Sequence, residues 1–169
     1  SESDVVIDFS RPESTMPLVQ EAKEHKKPLI IGTTGFTDIE LKLIEEASTE
    51  IPIMLSFNMS KGIYYFKKNI KKFLKDNSDP MKCLISETHH TQKVDAPSGT
   101  AIELKKFIEL NNNQEYITSI EIESKRILDV FGIHEVTFFN DTNHISFKHE
   151  ALSRKIFADG GISIAKSMT

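Results

Sequence analysis

Pro28-Leu29-Ile30-Ile31-Gly32-Thr33-Thr34-Gly35-Phe36-Thr37-Asp38-Ile39-Glu40 decides the fold. Its first five residues form an apolar run punctuated by proline and glycine, the pattern of a strand covered on both faces. A glycine-bounded turn follows. Thr37, with Glu40 three residues later, forms a capping box that opens a helix, and Leu41, Ile44 and Ala47 supply its apolar stripe. The same grammar stands on either side. Upstream, Val5 to Phe9 is a short apolar strand. Ser10-Arg11-Pro12-Glu13 then predicts a helix with Ser10 as N-cap, Pro12 in the first turn and Glu13 completing a capping box, running to about Glu24. Downstream, Ile51 to Phe57 reads as a third strand. This β-α-β-α-β alternation predicts the α/β class, with a parallel sheet covered by helices.

The remainder changes character. A helix is expected from about Lys61 to Lys75, a strand from Lys82 to Ser86, and a second helix from Ala101 to Leu110. Lys67, Lys68, Lys71, Lys72 and Lys75 recur at helical spacing beside Tyr64, Tyr65, Phe66, Ile70, Phe73 and Leu74, which reads as the solvated face of an amphipathic helix. Three strand-like runs follow, Ile117 to Lys125, Gly132 to Asn140 and His144 to His149, joined by short turns that favour antiparallel or mixed pairing. A helical pattern from Ser153 to Met168 closes the chain, with an interruption expected at Gly160-Gly161. The expected parts are residues 1–59, residues 60–152, and a closing helix at 153–169 that returns to the first part.

Charge and cysteine usage exclude several classes. With a net charge of −4 and a pI near 5.9, the chain has no general basic footprint for nucleic acid. Cys83 is the only cysteine, so a disulfide framework and a Cys-rich zinc site are both ruled out, in keeping with a reducing cytoplasm. No apolar run reaches membrane-spanning length, and the first residues carry no signal-peptide pattern.

The chemistry concentrates in Glu87-Thr88-His89-His90-Thr91-Gln92-Lys93-Val94-Asp95-Ala96-Pro97-Ser98-Gly99-Thr100-Ala101. Two imidazoles, an ammonium and a helix start fall within fifteen residues, between a strand and a helix. Free backbone N–H groups at a helix start attract anions, and imidazoles carry protons near neutral pH. The layout suits an anionic substrate that must also receive a proton. Blander readings exist for each group. A histidine pair alone is more often structural, Lys93 alone is a loop lysine, and Ser98 or Thr100 can be an ordinary N-cap. Adjacent residues at a strand end point to opposite sides, so His89 and His90 need not share a task. For the same reason they converge poorly on one ion, and no metal is expected. Ser98 lacks the Gly-x-Ser-x-Gly surroundings of a nucleophile elbow.

The run from His89 to Ala101 resembles the signature of the dihydrodipicolinate reductases. Ile7-Asp8-Phe9-Ser10-Arg11-Pro12 resembles that family's first matched strand-to-helix turn, Gly32-Thr33-Thr34-Gly35-Phe36 its nicotinamide loop, Asn58-Met59-Ser60-Lys61-Gly62 its hinge, and His149 to Gly161 its last strand and closing helix. The resemblance implies the C-terminal part of a Rossmann-like domain at 1–59 and an α+β substrate and oligomerisation domain with a mixed sheet at 60–152. It implies reduction of 4-hydroxy-tetrahydrodipicolinate, a small dicarboxylate, by NADPH or NADH. His89 matches the proton donor and Lys93 its partner. His90, Lys93, Ser98, Gly99, Thr100 and Arg154 match contacts to the substrate carboxylates. Phe9, Arg11, Gly32, Thr33, Thr34, Phe57 and Met59 match positions near the cofactor, which the resemblance places between the two domains. It further implies a cytoplasmic homotetramer with no nucleic-acid or membrane partner.

Several residues depart from the family pattern. Phe57 and Met59 stand where a small residue and an aromatic are usual. Gln92 stands where a basic or polar residue often sits, and Ile133 precedes His134 where an acidic residue is usual. The segment before Arg126 is short where the family often carries a loop contributing to its tetramer. No Gly-x-Gly-x-x-Gly turn opens the first part. On that ground the sequence is expected to be a piece of a longer chain or a degenerate homologue. The alternative function is a non-catalytic dicarboxylate-binding or assembly module.

Overall fold

In the computed structural model, which describes residues 3–168, the apolar run at Leu29 becomes the central strand of a three-stranded parallel sheet. The order is β1 (Val6–Asp8), β2 (Leu29–Ile31), β3 (Ile53–Leu55), with Val6 beside Leu29 and Leu29 beside Ile53. Leu29, Ile30 and Ile31 are all fully buried, because both sheet faces are covered. Leu29 and Ile31 pack with Val19 and Ala22 of α1 (Pro12–Glu24) and Ile44 and Ala47 of α2 (Asp38–Ser48). Ile30 points the other way, to Met59 and to Ala165 of the last helix, Lys155–Met168. These elements form one unit, the chain to Ser60 together with the stretch from Lys155. The outermost bounds expected from the sequence, residues 1 and 169, lie outside the described residues.

Helix starts in this unit separate one correct expectation from one correction. The Thr37–Glu40 capping box is present in both directions. Ser10, however, is not the N-cap of α1: that position is Arg11, which makes no side-chain capping bond. The reason is Asp8, a carboxylate only 5% exposed, whose burial requires donors. Ser10 donates to Oδ1 from both its amide (3.0 Å) and its hydroxyl (2.5 Å), while Thr15 and Thr33 donate to Oδ2 at 2.5 and 2.9 Å. Asp8 thus ties the end of β1 to α1 and to the loop after β2.

The expected break at Gly160-Gly161 is absent, since the closing helix runs through both glycines. They serve close approach instead. A Cβ built at Gly160 would lie 1.8 Å from the Met59 carbonyl oxygen, so only glycine lets the helix sit where it does.

The second unit spans Lys61–Arg154. Its helices are α3 (Lys61–Asp76) and α4 (Gly99–Asn111). Its strands are β4 (Met81–His89), β5 (Ile117–Arg126), β6 (Ile133–Phe139) and β7 (His144–Glu150), in the order β5-β4-β6-β7. The sheet is mixed: β4 pairs β5 in parallel across the α4 crossover, while β4–β6 and β6–β7 are antiparallel. The closing helix, fifth in chain order, is α5. On α3, Ile63, Phe66, Ile70 and Leu74 recur every three or four residues and face the sheet, and Ala101, Leu104 and Ile108 of α4 do the same. They bury Cys83, Ile85, Val136 and Phe138. Most α3 lysines point to solvent, except that Lys67 pairs with Glu103 at 2.5 Å and lies over the Phe107 ring. No helix among the described residues is long and apolar enough to cross a membrane.

Candidate active site

Strand β4 carries the site because of its alternation. Met81, Cys83, Ile85, Glu87 and His89 are all buried and share one face. The first three belong to the core, and the last two bring polar chemistry to the same face at the strand's C-terminal end. The sequence expectation stopped this strand at Ser86. It continues to His89, because β5 and β6 pair with it along that extension.

Register then assembles the rest. Ser124 of β5, Glu87 of β4, His134 of β6 and His149 of β7 lie side by side across the sheet, and Arg126 is level with His89. Glu87 is fully buried. Its Oε2 is hydrogen-bonded to His89 Nδ1, while its Oε1 accepts from Arg126 Nη1 at 3.0 Å and from the Ser98 amide at 3.3 Å. The His134 ring meets the His89 ring edge-on at 5.1 Å, and its Nε2 lies 3.4 Å from Ser98 Oγ.

Charge follows from these contacts. Burial pushes the Glu87 carboxyl up, but hydrogen bonds from Ser124, His89 and Arg126 together outweigh it and hold the group below its ordinary range. Burial holds His89 below the usual imidazole value, opposed by the Glu87 hydrogen bond and charge and assisted by Lys93 and Arg126. His134, buried and facing His89, is pushed down to about 3 and is neutral at ordinary pH.

Helix α4 starts at this end of β4. Ser98 is its N-cap, accepting from the Ala101 amide at 3.2 Å. The N–H groups expected to be free are partly taken by the chain's own carboxylates. The Ser98 amide bonds Glu87, and Gly99 hydrogen-bonds the Asp95 carboxylate. Lys93 Nζ also bonds Asp95, at 2.7 Å. Arg126 fixes this loop by donating to the Lys93 and Asp95 carbonyl oxygens at 3.4 and 2.5 Å. Thr100 is buried in the first turn of α4.

His90 and Arg154 meet elsewhere, in an open cleft of about 220 Å³ that also takes in Gln92 and Phe131. His90 Nδ1 itself is buried, with no hydrogen-bond partner among the described residues. The expected substrate residues of the second unit therefore fall into two neighbouring groups. One is the buried cluster of His89, Lys93 and the Ser98–Thr100 turn, and the other is the His90–Arg154 cleft.

The expected cofactor positions lie on the first unit. The Phe9 ring is 48% exposed and packs against Gly32, where a Cβ would come within 2.2 Å of it. Thr34 is exposed, and Gly35 takes φ +91° with nothing within 4 Å of a built Cβ. Thr33 is buried on Asp8, and the Arg11 carbonyl oxygen accepts from the first turn of α1. Phe57 is half-buried, whereas Met59 is a core residue packed on Ile30 under α5.

Sequence reasoning missed Glu87, Arg126 and Asp95 as site residues. Glu87 stands two residues before His89 on an apolar strand, a spacing that puts both on one face, and this was the available signal. Arg126 had none, since only strand register brings it to the site.

Comparison with known proteins adds to this geometry. Residues 1–59 match the family profile "Dihydrodipicolinate reductase, N-terminus", and residues 62–169 match "Dihydrodipicolinate reductase, C-terminus". A 4-hydroxy-tetrahydrodipicolinate reductase of Rickettsia bellii is 43% identical, over 96% of this chain and 69% of that protein. One of Clostridium perfringens is 39% identical, over 98% and 70%. Among solved structures, a dipicolinate-bound dihydrodipicolinate reductase from Paenisporosarcina sp. TG-14 superposes with a TM-score of 0.72 at 23% identity. It covers 99% of this chain and 69% of its own. A Clostridium difficile dehydrogenase shares the fold at a TM-score of 0.58 and 10% identity, over 98% of this chain and 69% of that one.

Proposed function

Because the chain belongs to the dihydrodipicolinate reductase family, we propose that it reduces 4-hydroxy-tetrahydrodipicolinate to tetrahydrodipicolinate with a nicotinamide cofactor, NADPH or NADH, and that His89 is its proton donor. The observation that carries the residue assignment is the grouping of His89, Lys93 and the α4 start around the Glu87 and Asp95 carboxylates.

The first unit fits the nicotinamide end of the cofactor. A flat apolar ring is exposed at Phe9, and the Gly32–Gly35 backbone beside it is bare of side chains at Gly35. Phe9, Arg11, Gly32, Thr33, Thr34 and Phe57 would hold that end; Met59 would support it from the core. When bound, the reduced nicotinamide supplies hydride to the substrate ring, whose C4 hydroxyl leaves as water.

The chain's own residues do the rest. His89 gives a proton to the reduced intermediate as it tautomerises. Its low pKa makes the imidazolium a willing donor. Lys93 exchanges Asp95 for a substrate carboxylate, and the Ser98–Thr100 turn adds the positive end of α4. His90 and Arg154 receive the second carboxylate. That both residues line one open cleft supports this. We read the assembly as a cytoplasmic homo-oligomer, tetrameric as its family resemblance implies, which light scattering measures directly.

The test is NADPH oxidation followed by absorbance, with the substrate generated in situ and His89→Gln alongside. Turnover that the substitution abolishes is expected. Full activity of a folded His89→Gln, Lys93→Ala double variant would refute the residue assignment.

A further inference from the structure

Nothing in the reaction above uses Glu87, yet the site is built around it. It is fully buried, and its two oxygens are divided between groups of different kinds. Oε2 bonds His89 Nδ1, and Oε1 collects Arg126 and the Ser98 amide. On the other edge of the His89 ring stands Gly132. A Cβ there would lie 3.2 Å from His89 Nε2 and 3.3 Å from Cδ2. The ring is therefore held at Nδ1 by a carboxylate, while its Nε2 edge lies against a glycine where a methyl group would crowd it.

We propose that Glu87 is the positioning residue for His89, accepting a hydrogen bond from its Nδ1–H so that Nε2 is the nitrogen that gives up its proton and is left bare in the neutral ring. The inference rests on reading His89 as the proton donor. An ionised carboxylate can only accept, so the ring nitrogen it bonds must carry the hydrogen. A neutral imidazole has one such hydrogen, and the choice of nitrogen is then settled. Arg126 keeps the carboxylate ionised. The same guanidinium holds the Lys93 and Asp95 carbonyl oxygens, so the loop bearing Lys93 is referred to the group that orients His89.

The charged and titratable groups facing His89 are Glu87 on its own strand, Arg126 from β5, His134 from β6 and Lys93 from the loop. Only Glu87 favours the protonated ring. Removing its charge leaves burial and two cations, all of which lower the His89 pKa. A proton donor loses activity as pH rises through its pKa, so the alkaline limb of the rate profile must move to lower pH.

The experiment has two arms on the full chain. In the first, Glu87→Gln keeps the shape and removes the charge. Expected are a kcat lower by roughly 10–100-fold, a substrate KM changed less than threefold, and an alkaline limb shifted down in pH. In the second, nitrogen-15 correlation spectra of the unsubstituted protein, assigned with His89→Gln, read the tautomer above the His89 titration. A proton on Nδ1 supports the proposal, and a proton on Nε2 overturns it even where Glu87→Gln fails to fold. Turnover abolished by His89→Gln but unchanged in rate and pH limb by Glu87→Gln would leave the reductase reading standing and remove this one. Turnover indifferent to His89→Gln would remove the proton-donor reading itself, whatever the tautomer.

Discussion

Gly160→Ala is expected to destabilise the first unit, and its neighbour Gly161→Ala is not. Both lie inside α5, where alanine is favoured over glycine by roughly 1 kcal/mol. The surroundings decide the sign. At Gly160 the new methyl would sit 1.8 Å from the Met59 carbonyl oxygen and 2.7 Å from its carbon, both backbone atoms that cannot rotate away. Reaching even a 3.0 Å contact requires α5 to back off by about 1.2 Å. A gap of that size forfeits a quarter to a half of the dispersion between packed atoms. It also loosens Ile30, Met59 and Ala165, the side chains joining α5 to the sheet. At about 1.5–3 kcal/mol for full burial of a large apolar side chain, losing a quarter to a half of it at Ile30 and Met59 amounts to roughly 1–3 kcal/mol. After the helix gain of roughly 1 kcal/mol, a net loss of up to about 2 kcal/mol remains. At Gly161 the nearest atoms are Phe9 Cε2 at 3.3 Å and Met59 Sδ at 3.6 Å, both on side chains able to move. There the two effects nearly cancel. Urea unfolding followed by circular dichroism, with equal m-values, gives both differences. Equal midpoints for Gly160→Ala and the unsubstituted chain would refute the packing argument.

Three further outcomes follow from contacts already described. His134 has a folded pKa near 3 against about 6.5 unfolded, so between those values the unfolded chain binds the extra proton. Its contribution to stability is whole above pH 6.5 and declines as pH falls toward 3. His134→Gln should therefore flatten the pH dependence of the urea midpoint there, by up to about 1.4 kcal/mol per pH unit, and an unchanged slope would contradict it. Thr37→Ala removes the hydroxyl that accepts from the Glu40 amide at 3.3 Å and donates to Glu40 Oε2 at 2.8 Å, and should lower stability by about 1 kcal/mol in the same assay. Asp95→Asn weakens the hold on Lys93 and on Gly99, so calorimetry should find pyridine-2,6-dicarboxylate binding several-fold tighter; weaker binding would show that Asp95 builds the site rather than competing for it.

The sequence was legible where a local pattern had a single structural outcome. Leu29 to Ile31 could only be a doubly covered strand, and Thr37–Glu40 could only open a helix. The run from His89 to Thr100 exposed its chemistry because strand end, loop and helix start are contiguous. Legibility failed where distant residues competed for local ones. Ser10 has the chemistry of a cap, but Asp8 is buried and claims its hydroxyl and amide. Gly160-Gly161 looks like a helix break, yet the pressure comes from Met59, a hundred residues earlier. Glu87 was visible as an acid on an apolar strand, while Arg126 and His134 became its neighbours only through the order β5-β4-β6. Register across a mixed sheet is not encoded in any one segment, so that half of the site had to be seen.

The return of α5 to the first sheet also sets a schedule for synthesis. The chain leaves the first unit after Ser60, builds the 94 residues from Lys61 to Arg154, and only then delivers α5. At ~5–20 residues per second, the ribosome takes roughly 5–20 seconds to cover that distance. Throughout the interval Ile30 and Met59 have no Ala165 to close over them, and one face of β2 stays wet. The second unit carries its helices and strands in one uninterrupted stretch and waits for nothing. The nascent polypeptide should therefore gain protease resistance in the later-made unit before the earlier-made one, an inversion of the usual order in which the N-terminal portion matures first.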